Sequence, residues 1–116
     1  MNVPGPLSHI ALVAGNAVRT ADFFKVRFDA TVKPQDDADD FVEILMKMGD
    51  AQFVLVQANV ERPLLGDHIA FAVSTEQLHQ CRARLDALGH AYQMARKDTA
   101  LYFTDFDNHV FELECA

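Results

Sequence analysis

Two histidines and one glutamate are the residues of this chain whose types and placement most clearly indicate chemistry. His9 opens the run His-Ile-Ala-Leu-Val-Ala-Gly at residues 9–15, and His68 opens the similar run His-Ile-Ala-Phe-Ala-Val-Ser at residues 68–74. Both runs have the composition of strands, and Glu112 lies in the last predicted strand of the chain. Imidazole nitrogens with a carboxylate oxygen suit Mn²⁺, Fe²⁺, Zn²⁺, Co²⁺ or Ni²⁺, and three protein ligands leave coordination positions open for water or substrate.

The repeat is what favours a metal site over a simpler alternative. In that alternative each histidine is an ordinary residue at the start of a strand, and Glu112 is a solvated residue near a strand end. The long spacing of the three residues carries little weight by itself. However, His9 and His68 occupy the same position of a repeated unit, which favours a shared role. His109, just before the last strand, is interpreted as a turn residue or as support for a ligand.

Each copy of the repeat is predicted to be one supersecondary unit. The first, at about residues 7–60, has a strand at 7–13, a helix capped by Asn16, and a hairpin with strands at 41–48 and 52–57. The acidic run at 36–40 is interpreted as a solvated turn rather than a binding site.

The second unit, at about residues 66–116, repeats this order. A strand at 68–73 leads into a helix that begins with a Ser74–Gln77 capping box and ends at Gly89. Three strands are predicted after it, at residues 91–96, 101–104 and 109–114.

Strand alternation places the candidate ligands on one side of the sheets. His9, His68 and Glu112 fall on faces shared with small residues, and successive side chains of a strand point to opposite faces. The helices are expected to cover the other face, which carries Ile10, Leu12, Phe111 and Leu113. The free face would then form a concave cup around the ligands.

Composition limits the possible functions. The 116 residues are enough for one domain, and half of them are apolar. A net charge of −7 argues against broad nucleic-acid binding. No apolar run approaches the roughly 18 residues of a membrane span, and no signal-peptide pattern is present, so a cytoplasmic protein with no membrane partner is expected. Cys81 and Cys115 are interpreted as ordinary thiols.

These residues together resemble the vicinal oxygen chelate superfamily, which includes glyoxalase I, extradiol dioxygenases, bleomycin-resistance proteins and fosfomycin-resistance enzymes. The segment Leu-Tyr-Phe-Thr-Asp-Phe-Asp-Asn-His-Val-Phe-Glu-Leu at residues 101–113 is similar to the final hairpin of the fosfomycin-resistance branch. Ser8-His9-Ile10 and the run at residues 67–71 match its two histidine-bearing strands. The resemblance covers essentially the whole chain and implies an α+β fold of two tandem βαβββ modules that form a cupped mixed sheet.

The resemblance also implies specific roles. His9, His68 and Glu112 would bind the metal, most commonly Mn²⁺, in a homodimer with exchanged modules in which His9 of one chain completes the site of the other. Tyr102 would hydrogen-bond the phosphonate or the reacting oxygen, and Glu43 lies near the position of the base in the hydrolytic members. The family's C-terminal tail with its phosphonate-binding arginine is expected to have no counterpart, and Arg96 and Lys97 are the substitutes expected to contact substrate.

Three functions follow as alternatives. The favoured one is a metal-dependent enzyme of the fosfomycin-resistance type, in which water or a thiol opens an epoxide or attacks a related small oxygenated substrate, with antibiotic resistance as the outcome. A second is a glyoxalase-like isomerase or lyase, whose usual fourth ligand would have to be Gln57. A third is a non-catalytic drug-binding protein of the bleomycin-resistance type.

Overall fold

The computed structural model describes residues 4–34 and 43–115, and within them the chain forms two successive modules. The first module contains β1 (Ile10–Ala14), α1 (Ala17–Phe28), β2 (Thr31–Pro34), β3 (Glu43–Met48) and β4 (Ala51–Gln57). The second contains β5 (His68–Ala72), α2 (Thr75–Leu88), β6 (Tyr92–Ala95), β7 (Ala100–Thr104) and β8 (Val110–Glu114). The predicted α+β class and the two βαβββ modules are confirmed.

The two modules have the same sheet topology. The strand order is β1-β4-β3-β2 in the first sheet and β5-β8-β7-β6 in the second. In each sheet the first strand pairs in parallel with the last, and the remaining neighbours are antiparallel. β5, which begins at His68, and β1, which begins one residue after His9, are therefore edge strands of their sheets.

Local sequence explains where the helices begin and end. The Asn16 side chain accepts a hydrogen bond from the Arg19 backbone N–H at the start of α1. Ser74 and Gln77 form the predicted capping box of α2, and Gly89 ends that helix in the left-handed conformation with φ of 72°. Leu78 and Leu85 on one face of α2 are buried, whereas Leu88, which helical spacing places near that face, is exposed.

The short strand β2 was not predicted from the residues. It has only four residues and ends at Pro34, which cannot donate a ladder hydrogen bond and so suits an edge strand. The acidic run at 36–40, predicted to be a turn, lies outside the described residues.

The core lies on the faces that the alternation predicted. Leu12, Phe111 and Leu113 are buried, and Ile10 packs against the same cluster. On the opposite face, Ala11 and His68 are exposed. One hydrophobic cluster joins both modules, because aromatic rings of α1 pack against those of the second sheet (Phe24 on Phe111 and Phe28 on Phe103).

Polar contacts also connect the modules at the β7–β8 turn. The Gly15 backbone N–H donates to Asp107 Oδ1 over 3.1 Å, and Arg62 and Asn108 exchange two hydrogen bonds. The turn that leads into β8 is thus attached to the end of β1 and to the linker between the modules.

The two helices of the described residues, α1 and α2, have 12 and 14 residues. Neither α1 nor α2 is long and apolar enough to cross a membrane.

Candidate metal centre

The open face of the second sheet carries a row of side chains that the strand register aligns. Ala70 on β5 lies opposite Glu112 on β8, which lies opposite Tyr102 on β7. His68 is two residues before Ala70 and therefore points to the same face. Because alanine leaves space on this face, the imidazole, the carboxylate and the phenol can approach one another.

His68 and Glu112 form the centre of the group. The distance from His68 Nε2 to Glu112 Oε1 is 3.1 Å. At the other side of the ring, His68 Nδ1 lies 3.0 Å from the Gly66 carbonyl oxygen. A carbonyl only accepts hydrogen bonds, so Nδ1 carries the proton and Nε2 is the nitrogen left to face the carboxylate.

This arrangement has the chemistry of a cation site. A neutral imidazole with its proton on Nδ1 presents a lone pair at Nε2, and two acceptors 3.1 Å apart require a proton or a metal ion between them. A backbone carbonyl that orients a histidine through its other nitrogen is also the usual support of a metal ligand. The donor set therefore fits a divalent metal.

Glu112 is a buried carboxylate inside a network of donors. Glu112 is 4% exposed to solvent, and its carboxylate is paired with both Arg96 and His68. Burial raises the pKa of the Glu112 carboxyl, but hydrogen bonds from Arg96 and Tyr102, the positive charge of Arg96 and the electrostatic influence of the adjacent His68 ring lower it, and the net pKa is below the ordinary value. Glu112 is therefore ionised at neutral pH and available as a ligand.

Arg96 reaches this network from the turn between β6 and β7. Its guanidinium contacts Glu112 Oε2, and Nη2 lies 3.7 Å from Glu114 Oε1 while Nη1 lies 3.4 Å from the Tyr102 hydroxyl. Its hydrogen bonds to Glu112 and Tyr102 raise the pKa of Arg96 above its ordinary value. The neighbouring Lys97 is exposed, and among the described residues the ion pairs of Glu112 involve Arg96 and His68 rather than Lys97.

His9 does not join the group within one chain. It is exposed at the start of β1, on the first sheet, and its Nδ1 lies 3.1 Å from the Ser8 hydroxyl. In residues 4–34 and 43–115 no three His, Cys, Asp or Glu side chains are arranged to hold a metal ion. One chain therefore brings together two of the three predicted ligands.

Glu43 also lies on the first sheet, away from the Glu112 network. It is half-buried at the start of β3 and lies opposite Val56, which lies opposite Val13 on β1. Val13 is four residues after His9, a distance of about 13 Å along a strand. Glu43 therefore shares the open face but is near the opposite end of the strands from His9.

The register identifies what the first module has in place of the Glu112 network. Ala11 is two residues after His9, as Ala70 is two after His68, and it lies opposite Val54, which lies opposite Leu45. Val54 thus corresponds to Glu112, and Leu45 corresponds to Tyr102. Gln57, the candidate fourth ligand, accepts a hydrogen bond from the Ala17 backbone N–H over 3.1 Å at the start of α1.

Two supporting features were not predicted in detail. The Gly66 carbonyl that orients His68 has no signal in a single sequence, because every residue carries a carbonyl. His109, interpreted as a turn or supporting residue, is buried, and its Nδ1 lies 2.7 Å from Asp105 Oδ2. Asp105 Oδ1 also accepts from the backbone N–H groups of Asp107 and His109, so this pair fixes the turn before β8.

An open cavity adjoins the network on the Tyr102 side. Its volume is about 430 Å³, which is in the range of small-molecule sites. Its lining includes Leu64, Leu65, Gln93, Tyr102, Thr104 and Val110. Tyr102 is thus shared by the cavity and the network around Glu112.

Comparison with known proteins identifies relatives of one kind. The chain is 27% identical over 115 residues to the fosfomycin resistance protein FosX of Listeria innocua and 26% identical to FosX of Listeria monocytogenes. Each match covers 92% of this chain and 86% of the relative. No family model matches the chain.

Solved structures agree with these relatives. One of them is a glutamate-to-glutamine variant of FosX from Listeria monocytogenes, complexed with Mn(II) and 1S,2S-dihydroxypropylphosphonic acid. Its TM-score is 0.87 at 25% identity, and the match covers 99% of this chain and 94% of that one. FosX of Mesorhizobium loti has a TM-score of 0.83 at 25% identity, covering 97% and 92%. A glyoxalase/bleomycin resistance protein/dioxygenase domain from Frankia, at 21% identity and a TM-score of 0.82, shares the fold over 97% and 92%. These relatives and the two βαβββ modules confirm the predicted resemblance to the vicinal oxygen chelate superfamily and its fosfomycin-resistance branch.

Proposed function

We propose that this protein is a divalent-metal-dependent enzyme that opens the epoxide of fosfomycin or acts on a closely related small oxygenated substrate. The observation that carries the proposal is the His68–Glu112 pair, in which an oriented imidazole nitrogen faces an ionised, buried carboxylate at 3.1 Å. Mn²⁺ is the favoured metal, since FosX of Listeria monocytogenes has been crystallised with Mn(II). Zn²⁺, Fe²⁺, Ni²⁺ and Co²⁺ are accepted by the same ligand types.

The proposed metal site is completed by a second chain. His68 and Glu112 supply two ligands from the second module, and His9 is exposed on the edge strand of the first. A homodimer that exchanges modules would bring His9 of one chain to the His68–Glu112 pair of its partner. This arrangement explains why two ligands lie together in one chain and the third lies apart.

The other residues of the proposed site act on the substrate. The metal, when bound, supplies a Lewis acid for the epoxide and phosphonate oxygens. Tyr102 donates its phenolic hydrogen to an oxygen of the substrate, and Arg96 and Lys97 supply positive charge for its anionic group. Glu43 is proposed as the base that activates water, and a thiol is the alternative nucleophile.

The two alternative functions have less support. A glyoxalase-like isomerase would need a fourth ligand from the last strand of the first module, where Val54 occupies the position that matches Glu112 and Gln57 is bonded to the start of α1. A non-catalytic drug-binding protein would have no need of an ionised, buried Glu112 beside an oriented histidine.

Product analysis tests the proposal. The Mn²⁺-loaded protein is incubated with fosfomycin, with and without a thiol, and the phosphonates are followed by ³¹P NMR. We expect metal-dependent formation of the diol or the thiol adduct, and no product from a Glu112→Val variant. Binding of fosfomycin without turnover would contradict the proposal and favour the drug-binding protein. In a parallel assay with an α-ketoaldehyde and the thiol, isomerisation of the hemithioacetal that they form would favour the glyoxalase-like alternative.

A further inference from the structure

We infer that Arg96 is an internal cation that competes with the metal for Glu112. In this account the guanidinium and the metal are alternative partners of the same carboxylate. When the metal binds, Arg96 leaves Glu112 and becomes the contact for the anionic group of the substrate. The inference rests on the proposed metal site and adds how its affinity is set.

The contacts of the guanidinium support this role. Arg96 pairs with Glu112 Oε2, while the other carboxylate oxygen, Oε1, faces His68 Nε2. A buried carboxylate needs a compensating charge, and Arg96 supplies it. A metal bound by His68 and Glu112 would lie next to the guanidinium, because both cations would contact the same carboxylate. Two positive charges that close together repel each other.

Arg96 can also leave its position without unpacking the core. Its side chain is 50% exposed, whereas that of Glu112 is 5% exposed. The guanidinium can therefore rotate toward solvent while the carboxylate stays in place. The nearby Tyr102 hydroxyl and the open cavity beside it are where the freed guanidinium would meet an anionic substrate.

The backbone at Arg96 is held in an unusual conformation. Arg96, Lys97 and Asp98 have φ values of 50°, 54° and 64°, a run of left-handed residues without glycine. The Thr99 N–H and hydroxyl both donate to the Arg96 carbonyl, over 3.2 and 2.7 Å, and close the turn. Positive φ values at residues other than glycine are energetically costly and cluster at functional sites, and this turn carries the arginine that pairs with Glu112.

Metal affinity tests the inference directly. Mn²⁺ binding is measured by isothermal titration calorimetry on the full-length wild type, Arg96→Gln, Arg96→Lys and Lys97→Gln. We expect Arg96→Gln to bind Mn²⁺ about 5- to 10-fold more tightly than wild type, because the competing ion pair is removed. Lys97→Gln removes the same charge one residue away, and a change below about 2-fold is expected for an exposed lysine.

The outcomes separate this inference from the proposed function. Arg96→Gln with the same or weaker affinity than Lys97→Gln, in a protein that binds one Mn²⁺ per chain, would overturn the inference and leave the metal site standing. No binding by any of the four proteins would overturn both. Arg96→Lys keeps the charge but loses the paired N–H donors of the guanidinium, so its Mn²⁺ affinity should lie between those of the wild type and Arg96→Gln. It serves as the check if the glutamine variant folds poorly.

Sulfate gives a second readout of the released arginine. If the freed guanidinium binds anions, sulfate should tighten Mn²⁺ binding to the wild type more than to Arg96→Gln, because binding of the two ions is then coupled. Equal effects of sulfate on both proteins would overturn the proposed anion contact of Arg96.

Discussion

The open faces of the two sheets have the same backbone register but different chemistry. In the first sheet, the row across three strands is Ala11, Val54 and Leu45, and in the second the matching row is Ala70, Glu112 and Tyr102. The two sheets share one frame and differ at the positions of Glu112 and Tyr102, which are polar in the second sheet and are Val54 and Leu45 in the first.

The difference also has an energetic side. Val54 and Leu45 need no polar partner, whereas a buried Glu112 is stable only with the charges and donors around it. The Arg96 turn, the Gly66 carbonyl and Tyr102 are what the second module adds for this purpose. The first module buries no carboxylate at the matching position, where it has Val54, and is expected to contribute His9 alone to the metal.

Mixing of two inactive variants gives the largest expected effect, because it tests whether the two faces act together across chains. His9→Ala and His68→Ala are each expected to lose metal and activity. If the site combines His9 of one chain with His68 of the other, unfolding and refolding an equal mixture should restore about one quarter of the wild-type sites, since half of the dimers are mixed and each holds one intact site.

The control for mixing is each variant refolded alone, which should recover nothing. Metal content and fosfomycin consumption are measured in all samples. No recovery from the mixture, in material shown to be dimeric, would mean that the two histidines do not meet between chains.

Loss of the Tyr102 hydroxyl tests whether the polar row of the second sheet acts on substrate. Tyr102→Phe keeps the ring beside His68 but removes a hydrogen-bond donor, and turnover of the metal-loaded protein should fall about 100-fold. The measurement is kcat and KM for the metal-loaded protein.

Tyr92→Phe is the matched control, because its hydroxyl bonds Arg82 and Asp86 at the surface rather than Glu112. Similar losses in both variants would show that the Tyr102 effect is not specific to the site.

Glu43 tests whether the first sheet contributes more than His9. If Glu43 is the base, Glu43→Gln should lower kcat by roughly 100-fold while Mn²⁺ affinity stays constant. Glu61→Gln, at an exposed glutamate of the linker, is the control. Unchanged kcat in Glu43→Gln would leave the first sheet with His9 as its only functional residue.

The pH dependence of stability gives the smallest expected effect. The pKa of Glu112 is lowered in the folded protein, so its contribution to the free energy of unfolding is present above its unfolded pKa of about 4.3 and lost as the pH falls through the folded value. Glu112→Gln should therefore show less loss of stability between pH 6 and pH 3 than wild type. Equal losses, from urea unfolding at each pH, would contradict the lowered pKa.

Much of the fold could be predicted because its signals are local. The capping box at Ser74, the Gly89 helix end and the alternation around Phe111 each depend on residues adjacent in sequence. The strand β2 has too few residues for a periodic signal, and Leu88 lies at the last turn of α2, where the position of the sheet rather than helical spacing decides exposure.

The candidate site was predictable only in part. His68, Glu112, Tyr102 and Arg96 do come together, but the ion pair of Arg96 with Glu112 depends on the conformation of a four-residue turn that no motif specifies. The prediction that His9, Glu43 and Lys97 act in the same site depends on a second chain or a bound substrate and stays a prediction. The prediction that residues 1–116 form a single domain also stays a prediction.

The most direct test of the account is Mn²⁺ binding by the wild type beside Glu112→Val and Val54→Ala, two changes at matching positions of the two sheets. We expect close to one Mn²⁺ per chain in the wild type and in Val54→Ala. We expect at least a 100-fold loss of affinity in Glu112→Val, since loss of an outer partner of a ligand already costs about 10- to 100-fold. Equal Mn²⁺ binding in Glu112→Val and Val54→Ala would contradict the claim that the second sheet holds the metal.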